Sequence, residues 1–173
     1  MRLDIDRVWA MPNKNTFSIP PIEKFILEEL IPGLTIDPFA NVSKIADVTN
    51  DLDPEYDTDY HLDALEFLKR FDTESVDTLL FDPPYTPRQL SECYTKLGRS
   101  VTFKDTDASF WSSIKDEAQR IIKPGGKVLS FGWNSQGIGK TRGFKLERVL
   151  LVCHGGQHND TICVSERKVQ SRL

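Results

Sequence analysis

Val76-Asp77-Thr78-Leu79-Leu80-Phe81-Asp82-Pro83-Pro84-Tyr85 runs from six strand-forming residues straight into two prolines. Val76 to Phe81 is short, β-rich and apolar at nearly every position, which predicts a central strand buried on both faces of a sheet. The prolines then end it. Neither can donate to a ladder, each has a locked φ, and Pro84 forces Pro83 into an extended shape, so the chain leaves the sheet as a stiff corner. Open α/β sheets hold their ligands outside the carboxyl ends of their strands. Here that place offers an acid, Asp82, a carbonyl on Pro83 that no ladder uses, and the ring of Tyr85.

Those groups suit the methylation of an exocyclic amine on a base. The lone pair of such an amine is conjugated into the ring, and it becomes nucleophilic when acceptors draw its hydrogens out of the plane. The Asp82 side chain and the Pro83 carbonyl are candidate acceptors, Pro84 fixes the corner, and Tyr85 is a candidate stacking plate. Asp-Pro-Pro-Tyr resembles the signature of amino-methyltransferases that use S-adenosylmethionine, particularly the DNA N6-adenine methyltransferases, in a small phage-like form. The resemblance spans roughly Thr16 to Lys168. It implies a three-layer α/β, Rossmann-like methyltransferase fold with a mostly parallel sheet, an antiparallel C-terminal hairpin and shortened helices. It also implies S-adenosylmethionine as cofactor and an adenine flipped out of DNA as acceptor. Two alternatives stay open: a catalytically inactive cofactor-binding or interaction protein, and an amino-methyltransferase for N4-cytosine or RNA.

Upstream, Met1 to Ser18 reads as a loop or arm, with a turn at Pro12-Asn13. Pro20-Pro21 opens a helix in which Ile22, Phe25, Ile26 and Leu30 share a face, and Pro32-Gly33 closes it. The segment before the first strand holds the methionine end of the cofactor in the resembled family, which makes Thr16 and Phe17 candidates; packing is an equal use for Phe17. Leu34 to Phe39 is a predicted strand that exits through Asp37-Pro38-Phe39-Ala40-Asn41. The family's cofactor loop continues from Asp-Pro-Phe into glycines, which allow close backbone approach and positive φ. This chain has no glycine there, and Asn41 is the residue best able to take a left-handed conformation in its place. Ile45 to Leu52 is the second strand, too close to the first for a full crossover helix. Asp51 at its tip has two roles open to it: acceptor of ribose hydroxyls, or first residue of the turn before Pro54. A short helix follows from Asp63 to Phe71. Asp63 can cap it, and the resemblance places Asp63 and Ala64 at the cofactor adenine.

Downstream, the polar stretch from Tyr85 to Ser109 lacks a lasting period, and a long loop beside the corner is where contact with DNA is expected. Phe110, Ile114, Ala118 and Ile121 then mark a helix that Pro124-Gly125-Gly126 ends, and Lys127 to Trp133 is the next strand. Gly139-Lys140-Thr141 has a phosphate-loop flavour, but Asn134 stands where that loop needs its first glycine. Lys145 to Cys153 and Thr161 to Lys168 form a predicted hairpin around a Gly- and Asn-rich turn. His154 and His158, separated by two glycines, make no metal pair, and His158 has either substrate or a turn hydrogen bond as its use.

The 173 residues, 39% hydrophobic, suffice for one core and predict a single methyltransferase domain, residues 1–173, without a separate target-recognition domain. Specificity would then come from short loops, a homodimer or a partner subunit. No apolar run nears the ~20 residues of a membrane span and no signal-peptide order opens the chain, so a cytoplasmic protein is expected. The three cysteines form no CxxC pair, and no metal site is expected. The net charge of -4 hides an asymmetry: Met1 to Leu80 carries 7 Lys+Arg against 17 Asp+Glu, and Phe81 to Leu173 carries 15 against 9. Phosphate attraction would come from the second half, where Lys140, Arg142, Lys145 and Arg148 cluster, with Lys140, Arg142 and His158 as candidate DNA contacts. For any one of these, a solvated loop charge is the plainer use.

Overall fold

The computed structural model describes residues 3–84, 95, 98 and 108–169. In chain order these form β1 (Asp4–Trp9), a 3₁₀ turn (Thr16–Ser18), α1 (Pro20–Glu29), β2 (Thr35–Asp37), β3 (Val48–Thr49), α2 (Ala64–Leu68) and β4 (Val76–Phe81). After these come α3 (Ala108–Ile121), β5 (Ile122–Gly132), a second 3₁₀ turn (Lys140–Arg142), β6 (Phe144–Cys153) and β7 (Thr161–Lys168). All seven strands join one sheet in the order β1-β6-β7-β5-β4-β2-β3. Only β7 runs against its neighbours; the other pairings are parallel.

The two-residue alternation of a strand sorts the core into two layers. Leu79 and Phe81 of β4 and Val128 of β5 pack with Phe67 and Leu68 of α2 and with Ile114, Ala118 and Ile121 of α3. Leu80 of β4 and Leu129 and Phe131 of β5 face the other way, against Ile22, Phe25 and Ile26 of α1. This is the expected three-layer arrangement with its final hairpin. The helix stripes and the both-face burial of β4 follow the sequence pattern directly, and Asp63 caps α2 by accepting the Leu65 amide at 3.0 Å. No helix of the described residues is long and apolar enough to cross a membrane.

Three expectations need correction. Asp4–Trp9 is not an arm: it is the outermost strand, paired with β6 from Asp4↔Arg148 to Trp9↔Cys153. Its acids reach Arg148, which also meets Glu28 at 2.9 Å and Glu29 at 3.2 Å on α1, so the edge strand and the helix share one guanidinium. Pro124-Gly125-Gly126 does not separate helix from strand. β5 begins at Ile122, and the extra residues are taken up by a register shift between Val76↔Ile122 and Thr78↔Lys127. The second strand is also shorter than its apolar stretch, at Val48–Thr49. The first crossover holds no helix, as its length predicts, and passes from β2 to β3 through turns.

Candidate functional site

Because β2, β3 and β4 are parallel, their acidic exits lie side by side at one edge of the sheet. A cavity of about 690 Å³ opens there. Its wall includes Thr16, Phe17, Pro38, Phe39, Ala40, Asn41, Asp51, Asp63, Ala64, Asp82, Pro83 and Pro84. Asp37 is buried beneath it at 0% exposure. Residues expected to serve a cofactor and residues expected to serve an acceptor therefore share one space. Tyr85 and the stretch on to Asp107, apart from Thr95 and Gly98, lie outside the described residues.

The loop after β2 shows how the chain manages without glycine. Asn41 sits at φ 52°, in the left-handed region, and its amide donates to Asp51 Oδ2 at 3.0 Å. The other Asp51 oxygen accepts the Asp53 amide at 2.9 Å, so Asp51 both starts its turn and pins the loop. Burial pushes its carboxyl above the ordinary range, against the pull of those two amides. Asp37 Oδ1 accepts the Phe39 amide at 2.9 Å. Asp37 Oδ2 and Asn41 Oδ1 are buried with no hydrogen-bond partner among the described residues. Burial holds the Asp37 carboxyl well above the carboxylate range; the Phe39 amide opposes this, and the charges of Asp82 and Asp51 add to it.

Asn50, the residue before Asp51, is the strut of the site. Fully buried, it donates through Nδ2 to the carbonyls of Pro38 and Leu62, each at 3.0 Å, and accepts the Leu62 amide at 2.9 Å. One side chain thus joins the loop after β2 to the approach of α2. On the far wall Phe17 packs on Phe131, with ring centroids 4.7 Å apart, so it serves the core and lines the cavity at once. Lys14, Lys44, Tyr56, Phe110 and Trp111 also line it, none of them expected from the sequence as site residues. The helical spacing of Phe110 with Ile114 was the available signal for the last pair, whose stripe extends past the core to the cavity.

The expected phosphate contacts lie elsewhere. Lys140 is exposed on the connection from β5 to β6, where Arg142 bonds Asp116 at 2.8 Å and Ser112 Oγ at 2.9 Å on α3. No helix follows Gly139-Lys140-Thr141, which removes the phosphate-loop reading. His158 is exposed in the β6–β7 turn and its amide donates to Gly155. His154 is buried, with its ring nitrogens 2.9 Å from the Ala10 carbonyl and 2.9 Å from Thr161 Oγ1, a clasp between hairpin and β1. No cluster of metal-ligating side chains occurs among the described residues.

No protein-family model matches the sequence, and no curated protein matches it significantly. Solved structures do resemble it. TrmN from Thermus thermophilus superposes with a TM-score of 0.54 at 19% identity, over 87% of this chain and 49% of that one. PH0851 gives 0.52 at 16% identity, over 83% and 44%. SMU.776, assigned as a methyltransferase and crystallised with SAH, gives 0.50 at 9% identity, over 77% and 44%. The chain spans about half the length of each. At these identities the likeness is one of fold, and the fold is Rossmann-like, of the methyltransferase kind.

Proposed function

We propose that the chain is a methyltransferase that uses S-adenosylmethionine to methylate an exocyclic amine of a nucleobase, with N6 of adenine in DNA as the acceptor. The observation that carries the reading is the shared cavity: Asp82 and Pro83 line the same space as Pro38, Phe39, Ala40, Asn41 and Asp51. The donor set fits the cofactor. Two buried oxygens, Asn41 Oδ1 of the cavity lining and Asp37 Oδ2 beneath it, lack partners among the described residues, and the cofactor carries an ammonium and ribose hydroxyls able to donate to such acceptors. The left-handed Asn41 lets backbone come close without glycine.

When bound, the cofactor supplies an electrophilic methyl: its C–S bond breaks as the N–C bond forms, and sulfur keeps the electron pair. The protein contributes placement. Asp82 and the Pro83 carbonyl take the two amine hydrogens and draw the nitrogen lone pair out of conjugation, and the surplus proton leaves along the Asp82 hydrogen bond. Asp51 and Asp63 hold the sugar and the adenine of the cofactor. Extruding the target base costs a few kcal/mol, and stacking returns ~1–3 kcal/mol of it. Orientation of the two reactants supplies most of the acceleration. Lys140, Arg142 and His158 are the candidate phosphate contacts, with Lys140 and His158 exposed.

Tritium from methyl-labelled cofactor should enter adenine-containing DNA with the wild type and not with Asp82→Ala. Equal incorporation by both would overturn the assignment. Nucleoside digestion separates N6-adenine from N4-cytosine, and a parallel RNA substrate separates the two nucleic acids.

A further inference from the structure

α3 carries part of the cavity wall on one side and a pair of cations on the next. Phe110, Trp111 and Ile114 line the cavity. Lys115 lies four residues on from Trp111 and three on from Ser112, spacings that set helix side chains next to one another with Cβ atoms ~6 Å apart. On the far side of Lys115, Arg142 docks on the same helix. It donates through Nη2 to the Ser112 hydroxyl at 2.9 Å and through Nε to Asp116 at 2.8 Å. Passing around α3, the order is cavity wall, Lys115, Arg142.

Lys115 is half-buried, yet no carboxylate pairs with its ammonium among the described residues. Burial and the charge of Arg142 both push that ammonium below the ordinary lysine range, and the opposing pull of Glu166 is weaker than either. Glu166 is committed elsewhere: its two oxygens accept the Ile138 amide at 2.6 Å and the Gly139 amide at 3.1 Å. Asp116 pairs with the guanidinium and leaves the ammonium unmatched. A cation drawn part-way out of water beside a second cation is costly to hold, and an anion offsets that cost. A phosphodiester suits the place, since its two free oxygens can meet an ammonium and a guanidinium together.

We propose that Lys115, with Arg142 beside it, is a phosphate clamp that holds the backbone of a DNA strand next to the nucleotide extruded into the cavity. This rests on the proposed function, since it takes the acceptor to be nucleic acid, and it adds a contact that ties backbone to cavity through one helix. A phosphate contact positions a strand without reading it, so the clamp leaves the choice of base to the corner at Asp82.

Anisotropy with a labelled, adenine-containing single-stranded DNA oligonucleotide tests the clamp. Lys115→Gln keeps most of the stem and removes the charge. It should weaken binding ~10-fold at low salt, the strength of one charge-assisted hydrogen bond, and flatten the slope of log K against log salt by ~0.7. Lys115→Arg should bind as wild type does. Neutral methylphosphonate linkages on both sides of the adenine should weaken wild-type binding at least as much, and should cost Lys115→Gln ~10-fold less than they cost wild type. Unchanged binding by Lys115→Gln overturns the inference, and so do losses from variant and neutral linkages that add in full. The SAH dissociation constant should not move in Lys115→Gln; joint loss of SAH and oligonucleotide affinity makes the lysine structural and also overturns the clamp. A wild type that binds the oligonucleotide through Lys115 and methylates nothing defeats the proposed function and leaves the clamp standing.

Discussion

Replacing Asn50 with alanine removes the strut between the loop after β2 and the approach of α2. Three hydrogen bonds go, those to the Pro38 carbonyl, the Leu62 carbonyl and the Leu62 amide. Each is worth about 1 kcal/mol net, and a group left buried without a partner costs ~1–3 kcal/mol. Pro38 lies on the cavity wall, as does Leu62, where water can reach part of what is exposed, so the lower figure applies and the sum is ~3 kcal/mol. With a urea m-value of ~1.5 kcal/mol/M, the unfolding midpoint should fall by ~2 M. Equilibrium urea unfolding followed by far-UV circular dichroism reads this directly. SAH affinity measured below the transition should drop by at least ~10-fold, because the Pro38–Asn41 backbone and the Asp63 cap lose their common anchor. A midpoint within ~0.3 M of wild type, set against a ~2 M expectation, would show that the strut argument is wrong.

Asp37→Asn tests the buried acid. An acid whose folded-state pKa lies above its unfolded value holds a proton that the unfolded chain has lost, so stability falls as pH rises from the ordinary carboxylate range toward the raised value. The variant should be more stable than wild type at pH 7.5 and gain less at pH 4.5, while binding SAH more weakly; thermal scans at both pH values showing the opposite trend refute this. Lys168→Met keeps the buried stem but removes the donor that meets the Gln119 and Ile122 carbonyls at 2.8 and 2.7 Å, at the end of α3. It should cost ~2–4 kcal/mol in urea unfolding, and a loss below ~0.5 kcal/mol would contradict the buried-partner argument. Asn41→Gly should keep stability near wild type and lose only the SAH affinity that the Asn41 Oδ1 acceptor supplies, whereas Asn41→Val, forced into the left-handed region, should lose ~1–3 kcal/mol of stability as well and bind poorly. Matching behaviour of the two variants would remove backbone conformation as the reason for Asn41.

What the sequence disclosed depended on whether the cause was local. The run Val76 to Phe81 with its prolines, the stripe of α1 and the glycine turn between β6 and β7 carry their instructions within a few residues, and each formed as read. Asp4–Trp9 does not. Four of its first five residues are polar or exposed apolar positions with no core face, and it is a strand because β6 offers a ladder and Arg148 receives its acids. Asn50 was hidden for a similar reason. In sequence it is one polar residue in a turn-like Thr-Asn-Asp, and its partners lie twelve residues away on either side. Asp37 was visible as an acid at a strand exit, but its complete burial depends on the packing of Phe39 against Phe81 and the layers around them. Pro124-Gly126 reads as a stop in sequence and becomes a register shift because β4 is already in place to pair beyond it.

The central claim is that the cavity at the tips of β2, β3 and β4 is the seat of a methyl donor. Titration calorimetry of the purified chain with S-adenosylhomocysteine tests it without any assumption about the acceptor. One molecule should bind per chain, and Asp37→Asn should weaken that binding. No heat of binding up to millimolar ligand would contradict the account.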